Sequence, residues 1–353
     1  MDLAFELAEK GRGLTHPNPR VGSVVVRASE IVGRGYHCGP GTPHAEAEAL
    51  AEAGKGAQGA TLYCTLEPCA HEGRTPPCAD AIVQAGVTRV VAALQDPNPL
   101  VDGRGFARLR AGGVRVDVLA GAPAQRAARL NAPFIKQLKT GLPLVTYKAA
   151  VSLDGKVALA GGRPAQLSGP EGRRLVHRMR AQADAVLIGA GTLRSDDPLL
   201  TVRLSEGRNP TRVVLTASGD LPLGARLFAD IAEAPVVVLA ERLAGPDEEA
   251  LAAAGVQVER FQGDLSAALR RLAAQGLLDV LLEGGPTLAA ALLTAGLVDR
   301  LAVFVTPLLA GRGAPDLLAL PAVADLQSTP RLTNQRWQPV GQDMLFEADI
   351  EVA

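Results

Sequence analysis

The chain has 353 residues, 47% of them hydrophobic, and its 36 Lys and Arg against 37 Asp and Glu leave a net charge of −1. That length predicts two domains, or three, each large enough for a core of its own, and it excludes a mostly disordered chain. The charge balance excludes a general nucleic-acid surface, and 11 aromatics leave little for base stacking. From the N-terminus, MDLAFELAEKGRG is acidic and amphipathic, without the apolar core of a signal peptide. VGSVVV (21–26), ATLYCTL (60–66), TRVVAAL (88–94) and VRVDVL (114–119) read as strands. Segments 44–55, 78–86 and 104–112 read as helices, and a longer helix is expected over 123–139. TGLPL (140–144) joins Gly and Pro at a boundary.

A second α/β series follows. Its strands are LVTYKAAVS (144–152), ADAVLIG (183–189), TRVVLT (211–216), PVVVLA (235–240), VQVERF (256–261), LDVLLEGG (278–285) and RLAVFVTP (300–307). MLFEADIEV (344–352) alternates like a terminal antiparallel strand, and 307–330 reads as an irregular loop. Strands alternating with helices predict largely parallel sheets covered by helices. The expected domains are 1–142, with a charge of +3, and 143–353, with −4. No stretch reaches about 18 uninterrupted apolar residues, so no membrane span is expected. All four cysteines (Cys38, Cys64, Cys69, Cys78) fall in the first 78 residues. In a chain of this size without a leader, the expected setting is a reducing cytoplasm, where such a cluster is metal-binding or reactive.

His44-Ala-Glu46 opens one helix, and Cys78 opens another, nine residues after Cys69. An imidazole and two thiols suit Zn²⁺ with a fourth position left for water, the arrangement of a catalytic site. A cysteine at a helix start is helped toward thiolate by the helix dipole. Zinc lowers the pKa of its water to about 7, and the hydroxide needs a proton carrier. Glu46, two residues from the imidazole, can serve without being a ligand. Zinc deaminases share this wiring, H-x-E followed by P-C-x-x-C, although here eight residues rather than two separate the cysteines. Singly, His-x-Glu is an ordinary helix start and a cysteine pair ordinary core thiols; their joint order, each ligand preceded by proline, points to metal. Cys38 and Cys64 read as packing residues. The loop between Cys69 and Cys78 carries Arg74, suited to a phosphate.

The second half lacks G-x-G-x-x-G. Glu283-Gly284-Gly285-Pro286-Thr287 instead joins a strand to a helix, where free N–H groups can meet a phosphate. An ordinary strand-to-helix turn has the same composition.

HPNPRVGSVVV, HAEAEAL, TLEPCAHEGRTPPC and QDPNPLVDGRG resemble the bifunctional deaminase/reductase family of riboflavin biosynthesis, and the resemblance covers nearly the whole chain. It implies an α/β protein: a cytidine-deaminase-like α/β/α domain followed by a dihydrofolate-reductase-like α/β domain with a mixed sheet. It implies zinc-dependent deamination of 2,5-diamino-6-(5-phosphoribosylamino)pyrimidin-4(3H)-one. NADPH-dependent reduction of the ribose then gives 5-amino-6-(5-phosphoribitylamino)uracil. One Zn²⁺ per chain would sit on His44, Cys69 and Cys78, with Glu46 catalytic. Asn18, His37, His71, Arg74, Asp96 and Asn98 would line the first pocket.

By the same resemblance Val151, Gln166, Thr192, Asp196 and the turn Gly284, Gly285, Pro286, Thr287 and Leu288 contact NADPH. Lys148, Asp154, Arg180, Leu200, Arg203 and Glu283 face the second substrate. Lys148 and Asp154 are also the candidate acids, and each could equally be a structural ion pair or turn residue. Pro164, Gln166 and Thr216-Ala217 depart from the family pattern. The family implies a cytoplasmic homo-oligomer acting on phosphorylated pyrimidines, with no nucleic-acid or membrane partner. Two alternatives stay open: a nucleoside or tRNA deaminase, and a structural zinc module with Cys64 or His71 as fourth ligand.

Overall fold

The computed structural model describes residues 1–70, 77–99, 101–320, 325 and 329–351. It divides into two compact units, Met1–Gly141 and Leu142–Ala353.

The first unit is built on a five-stranded sheet of β1 (Gly22–Arg27), β2 (Glu30–Tyr36), β3 (Thr61–Cys64), β4 (Arg89–Ala92) and β5 (Arg115–Val118). Their order is β2-β1-β3-β4-β5. β1 is antiparallel to both neighbours, whereas β3, β4 and β5 run parallel. Side chains alternate across a strand, so β1 serves two cores at once. Val24 packs with Ala4 and Leu7 of the helix Asp2–Lys10. Val25 packs with Ala49, Ile82 and Leu109 from three helices on the opposite face. Helices therefore cover both faces of the sheet, the α/β/α layering expected from the sequence.

Two local expectations change. The sequence shows no strand at 30–36, where β2 lies, because EIVGRGY has no apolar alternation. Its glycines answer a packing demand instead. A Cβ at Gly33 would lie 2.1 Å from the Ala49 carbonyl oxygen, and one at Gly35 2.2 Å from that of Ala45. The helix Ala45–Ala53 thus rests directly on the β2 backbone. The expected single helix over 123–139 is two, Ala122–Leu130 and Ala132–Thr140. Pro133, in the first turn of the second helix, cannot continue the first, and buried Asn131 caps the junction: its Oδ1 accepts from Arg20 N at 2.7 Å and its Nδ2 donates to Arg20 O at 3.0 Å.

The second unit has a nine-stranded mixed sheet. Its strands are β6 (Leu144–Ser152), β7 (Ala185–Gly189), β8 (Thr211–Thr216), β9 (Val236–Ala240), β10 (Gln257–Arg260), β11 (Asp279–Leu282), β12 (Arg300–Thr306), β13 (Arg331–Val340) and β14 (Asp343–Glu351). The order is β10-β9-β8-β7-β11-β6-β12-β14-β13. β6 to β12 are mutually parallel, and β14 is antiparallel to both β12 and β13. The terminal strand was legible as antiparallel; β13 was not, since RLTNQRWQPV is polar and mostly exposed. Val145, Leu187, Val213 and Val237 fill one core, and Val186, Ile188, Val214 and Val238 the other. The chain passes from β6 to β7, moves outward to β10, then returns to insert β11 between β7 and β6. Such a switch in strand order opens a crevice at the carboxyl ends of the strands it separates.

Candidate active sites

In the first unit the candidate ligands lie beyond the carboxyl end of β3 and at two helix starts. His44 is the N-cap of Ala45–Ala53, and Cys78 is the first residue of Cys78–Gln84. His44 Nδ1 is 3.3 Å from Cys78 Sγ and 3.5 Å from Cys69 Sγ, and Cys78 N–H donates to Cys69 Sγ at 3.3 Å. The three ligand atoms lie within 4.8 Å of one another. Among the described residues no other cluster of this kind occurs.

The charges point the same way. A hydrogen bond from Cys78 holds the Cys69 thiol down at about 4 against its burial, with His44 assisting. The same contact, with burial, pushes Cys78 up. The cluster thus holds one thiolate readily, and a second only if a cation compensates the pair. One imidazole and two sulfurs suit zinc in that role. Burial raises Glu46 to about 7, and the neighbouring Cys69 adds to this. A carboxyl so placed exchanges its proton near neutral pH.

Around the cluster, His37 Nδ1 lies 3.2 Å from the Pro43 carbonyl, which can only accept, so that nitrogen carries the proton. His37 Nε2 then accepts from Asn18 Nδ2 at 3.0 Å. Burial holds the His37 pKa down, consistent with a neutral ring. The ring meets His44 edge-on at 5.5 Å. Asn18, His37 and His44 are therefore brought together. Asp96 and Asn98 follow β4 in an Asx turn, with Asn98 N–H donating to Asp96 Oδ1 at 2.9 Å. His71 and Arg74 lie outside the described residues.

Sequence reasoning passed over Glu67. Its buried carboxylate accepts from the backbone N–H groups of Asp96 (3.2 Å), Gly103 (3.0 Å) and Phe106 (3.1 Å). It ties the Asp96 loop to the strand end that leads to Cys69. A glutamate in the otherwise apolar run before Pro68 was the available signal. Cys64 is buried in the core with its Sγ 3.9 Å from the Val91 carbonyl oxygen, as a packing residue. Cys38 is partly buried beside Glu48.

In the second unit, the crevice between β6, β7 and β11 collects most of the expected residues. Buried Glu283 takes Arg180 Nε at 2.6 Å and Nη2 at 3.1 Å, and Lys148 Nζ at 3.2 Å. Burial alone would raise Glu283; Lys148 and Arg180 overcome it and hold the carboxyl at about 2. Arg180 Nη1 also reaches the Thr201 carbonyl at 3.2 Å, next to Leu200. Arg203 Nη1 donates to Thr201 Oγ1 at 2.7 Å. Beside them, Gly285 N–H donates to Thr192 Oγ1 at 3.0 Å. Gly285 is the N-cap of the helix Pro286–Thr294, so this turn presents helix-start N–H groups. A Cβ on Gly284 would lie 3.2 Å from Leu288 Cδ2.

The remaining residues are placed more loosely. Val151 is buried near the end of β6. Asp196 ends the helix Ala190–Asp196 and accepts from Ser195 Oγ. Exposed Gln166 pairs with Ser168. Asp154 Oδ1 accepts from Ser152 Oγ (2.6 Å) and Ala310 N (3.0 Å), and its Oδ2 from Gly311 N (2.7 Å). These bonds hold Asp154 at about 2, so it has no proton to give in the neutral range. Thr216, at a departure from the family pattern, accepts from Gly219 N in a turn.

Known proteins agree with this division. Residues 1–94 match the model of the cytidine and deoxycytidylate deaminase zinc-binding region, and 143–346 match that of the RibD C-terminal domain. The chain is 41% identical to riboflavin biosynthesis protein RibD of Escherichia coli, over 98% of this chain and 96% of that one. Its fold superposes on RibD of Acinetobacter baumannii with a TM-score of 0.90 at 38% identity, covering 99% and 98% of the two chains. It superposes on a diaminohydroxyphosphoribosylaminopyrimidine deaminase/5-amino-6-(5-phosphoribosylamino)uracil reductase of Thermotoga maritima with 0.87 at 34%, covering 99% and 97%. With a zinc-type ligand cluster in one unit and a basic, glycine-lined crevice in the other, the chain belongs to the RibD family of bifunctional deaminase–reductases of riboflavin biosynthesis.

Proposed function

We propose that residues 1–142 deaminate 2,5-diamino-6-(5-phosphoribosylamino)pyrimidin-4(3H)-one and that residues 143–353 reduce the product with NADPH to 5-amino-6-(5-phosphoribitylamino)uracil. The observation that carries the reading is the convergence of His44, Cys69 and Cys78 within 4.8 Å, with buried Glu46 two residues from His44. The donor set fits one zinc ion per chain. Zinc, when bound, acidifies a water molecule into the neutral range. Glu46 takes a proton from the attacking water on a carboxylate oxygen and delivers it toward the departing amine. Asn18, the neutral His37 ring, Asp96 and Asn98 line the pocket and orient the pyrimidine; His71 and Arg74, outside the described residues, are assigned to it by the family resemblance alone.

In the second unit the nicotinamide cofactor supplies a hydride. Thr192 and the turn 284–288 would hold its phosphates at a helix start, with Val151, Gln166 and Asp196 beside it. Lys148, Arg180, Leu200, Arg203 and Glu283 would seat the phosphorylated substrate, and Asp154 shapes the adjoining loop. No helix among the described residues is long and apolar enough to cross a membrane. A cytoplasmic setting and self-association follow from the family resemblance, with phosphorylated pyrimidines as the partners.

The test has two arms. Metal analysis should find about one zinc per chain, and Glu46→Gln should keep the zinc while slowing ammonia release by about 10²–10⁴-fold. Normal deamination by that variant would refute the assignment of Glu46. The second arm follows nicotinamide oxidation with the deaminated substrate. NADPH should support turnover better than NADH, and turnover with neither would refute the reductase reading.

A further inference from the structure

We propose that His177 is a positioning residue for the reductase: its ring nitrogen Nδ1 fixes the backbone of Arg203 and thereby aims the Arg203 guanidinium at the substrate. This rests on the reading of Arg203 as a substrate-binding residue.

His177 lies in the helix Pro170–Gln182, one turn before Arg180 and on the same face. Both side chains reach the segment 200–203. Arg180 Nη1 donates to the Thr201 carbonyl at 3.2 Å, and Arg203 N–H donates to His177 Nδ1 at 2.9 Å. Between these, Val202 N–H donates to Asn209 Oδ1 at 2.7 Å. Three side chains therefore grip three successive residues by their main chain.

The grip has a reason. Leu200 has φ +57° and Asp197 φ +40°, left-handed conformations that side-chain-bearing residues avoid. Such backbone persists only where its surroundings over-determine it. Arg203 lies three residues after Leu200, and its own Nη1 folds back to Thr201 Oγ1 at 2.7 Å. Its guanidinium is thus aimed by a segment that would not keep its shape unaided.

The bond also fixes the state of the ring. Nδ1 accepts a backbone proton, so the ring proton sits on Nε2 and the imidazole is neutral. The surroundings enforce this. His177 is 7% exposed. Burial first, then the Arg180 and Arg203 cations and more weakly Lys148, push its pKa down to about 4 against the opposing pull of Glu283. A cationic ring would lose the lone pair that holds Arg203.

An ordinary core histidine would also be buried and neutral, so the test must separate position from packing. Asparagine places Oδ1 where histidine has Nδ1, the same number of bonds from the backbone. Glutamine reaches instead toward the Nε2 position. His177→Asn, His177→Gln, His177→Leu and Arg203→Ala are compared in the full-length, zinc-loaded chain. The readouts are reductase kcat, KM for the phosphorylated substrate and KM for NADPH, with ammonia release from the same chain as control.

Loss of one such hydrogen bond predicts a rise of about tenfold in substrate KM for Leu and Gln. Asn should stay within about threefold of the parent, and NADPH KM and ammonia release should not move. If Arg203→Ala raises substrate KM but His177→Leu does not, the positioning role is overturned while the Arg203 reading stands. If Arg203→Ala leaves KM unchanged, that reading fails and the proposal with it. Equal losses for Asn and Gln, or parallel losses in both KM values, would make His177 a packing residue. Should the leucine variant not fold, the contrast between Asn and Gln decides.

Discussion

Removing the Glu283 charge while keeping its shape tests the reductase crevice most directly. Glu283→Gln would leave Arg180 and Lys148 together with 12% and 16% of their side chains exposed and no counter-charge between them. In the folded chain this carboxyl titrates at about 2 rather than at its ordinary 4.5, because the two cations overcome the effect of burial. A depressed folded value means stability that is fully present above about pH 4.5 and is lost as pH falls through about 2. The difference corresponds to about 3 kcal/mol. Stripping one partner from a buried ion pair costs a similar amount, about 3–5 kcal/mol.

The readout is specific to the second unit. Trp337, the only tryptophan, sits on β13 with its ring 4.6 Å from that of Phe346, so its fluorescence follows the second unit. Urea titrations should show the variant less stable by about 3 kcal/mol at pH 7, with the gap closing between pH 4.5 and 2. A deficit below about 1 kcal/mol at pH 7, or one that does not change with acid, would refute the reasoning. A triple variant, Glu283→Leu with Arg180→Met and Lys148→Met, replaces the triad by apolar groups. It should recover stability to within about 1 kcal/mol of the parent yet lose ribose reduction, since buried ion pairs often contribute little net stability. That outcome would show the triad is kept for what it binds.

Three further substitutions probe other supports. Gly35→Ala places a methyl 2.2 Å from the Ala45 carbonyl oxygen and should lift the helix that carries His44 and Glu46. A loss of about 2 kcal/mol, with faster zinc loss to a chelator, is expected; parental zinc retention would contradict this packing. Glu67→Gln turns an amide NH₂ toward backbone donors and should cost about 2 kcal/mol while raising the deaminase KM through the Asp96 loop, measured by melting and ammonia release. Unchanged stability and KM would show that the loop is held otherwise. Asp154→Asn should leave every limb of the reductase pH–rate profile in place, because the carboxyl holds no proton above about 2. Loss of a basic limb would identify it as the acid after all.

The inner strands were legible because burial imposes a pattern on sequence. β1, β3, β4, β6 to β9, β11 and β12 send apolar side chains into the cores. β2 and β13 are edges, as are β5 and β10, and an edge needs only one ladder and one covered face; β5 and β10 keep an apolar alternation, β2 and β13 do not. β2 spends that freedom on glycines that let a helix lie on its backbone. β13 spends it on polar side chains facing solvent. Neither choice leaves a period to read. The break at Asn131 did carry a local signal, an N-cap asparagine with Pro133 in the first turn of the next helix, and the buried pairing of Asn131 with the Arg20 backbone fixes it there.

The sites divide along the same line. His44, Cys69, Cys78 and Glu46 could be found in sequence because imidazole and thiol are scarce, and because each ligand follows a proline, two of them at helix starts. Glu67, which was passed over, and Glu283, which was named only through the family resemblance, show why residue type alone does not reach the rest. Both are buried glutamates shortly after a strand of a mixed sheet, and by composition they are indistinguishable. Glu67 spends its oxygens on three backbone N–H groups, which no substrate can replace, so it can only hold the Asp96 loop still. Glu283 instead pairs with two side-chain cations, Arg180 and Lys148, whose charge is of the kind that recognises a phosphate. What separates the two carboxylates is the kind of partner, and partners are set by the fold rather than by neighbours in the chain.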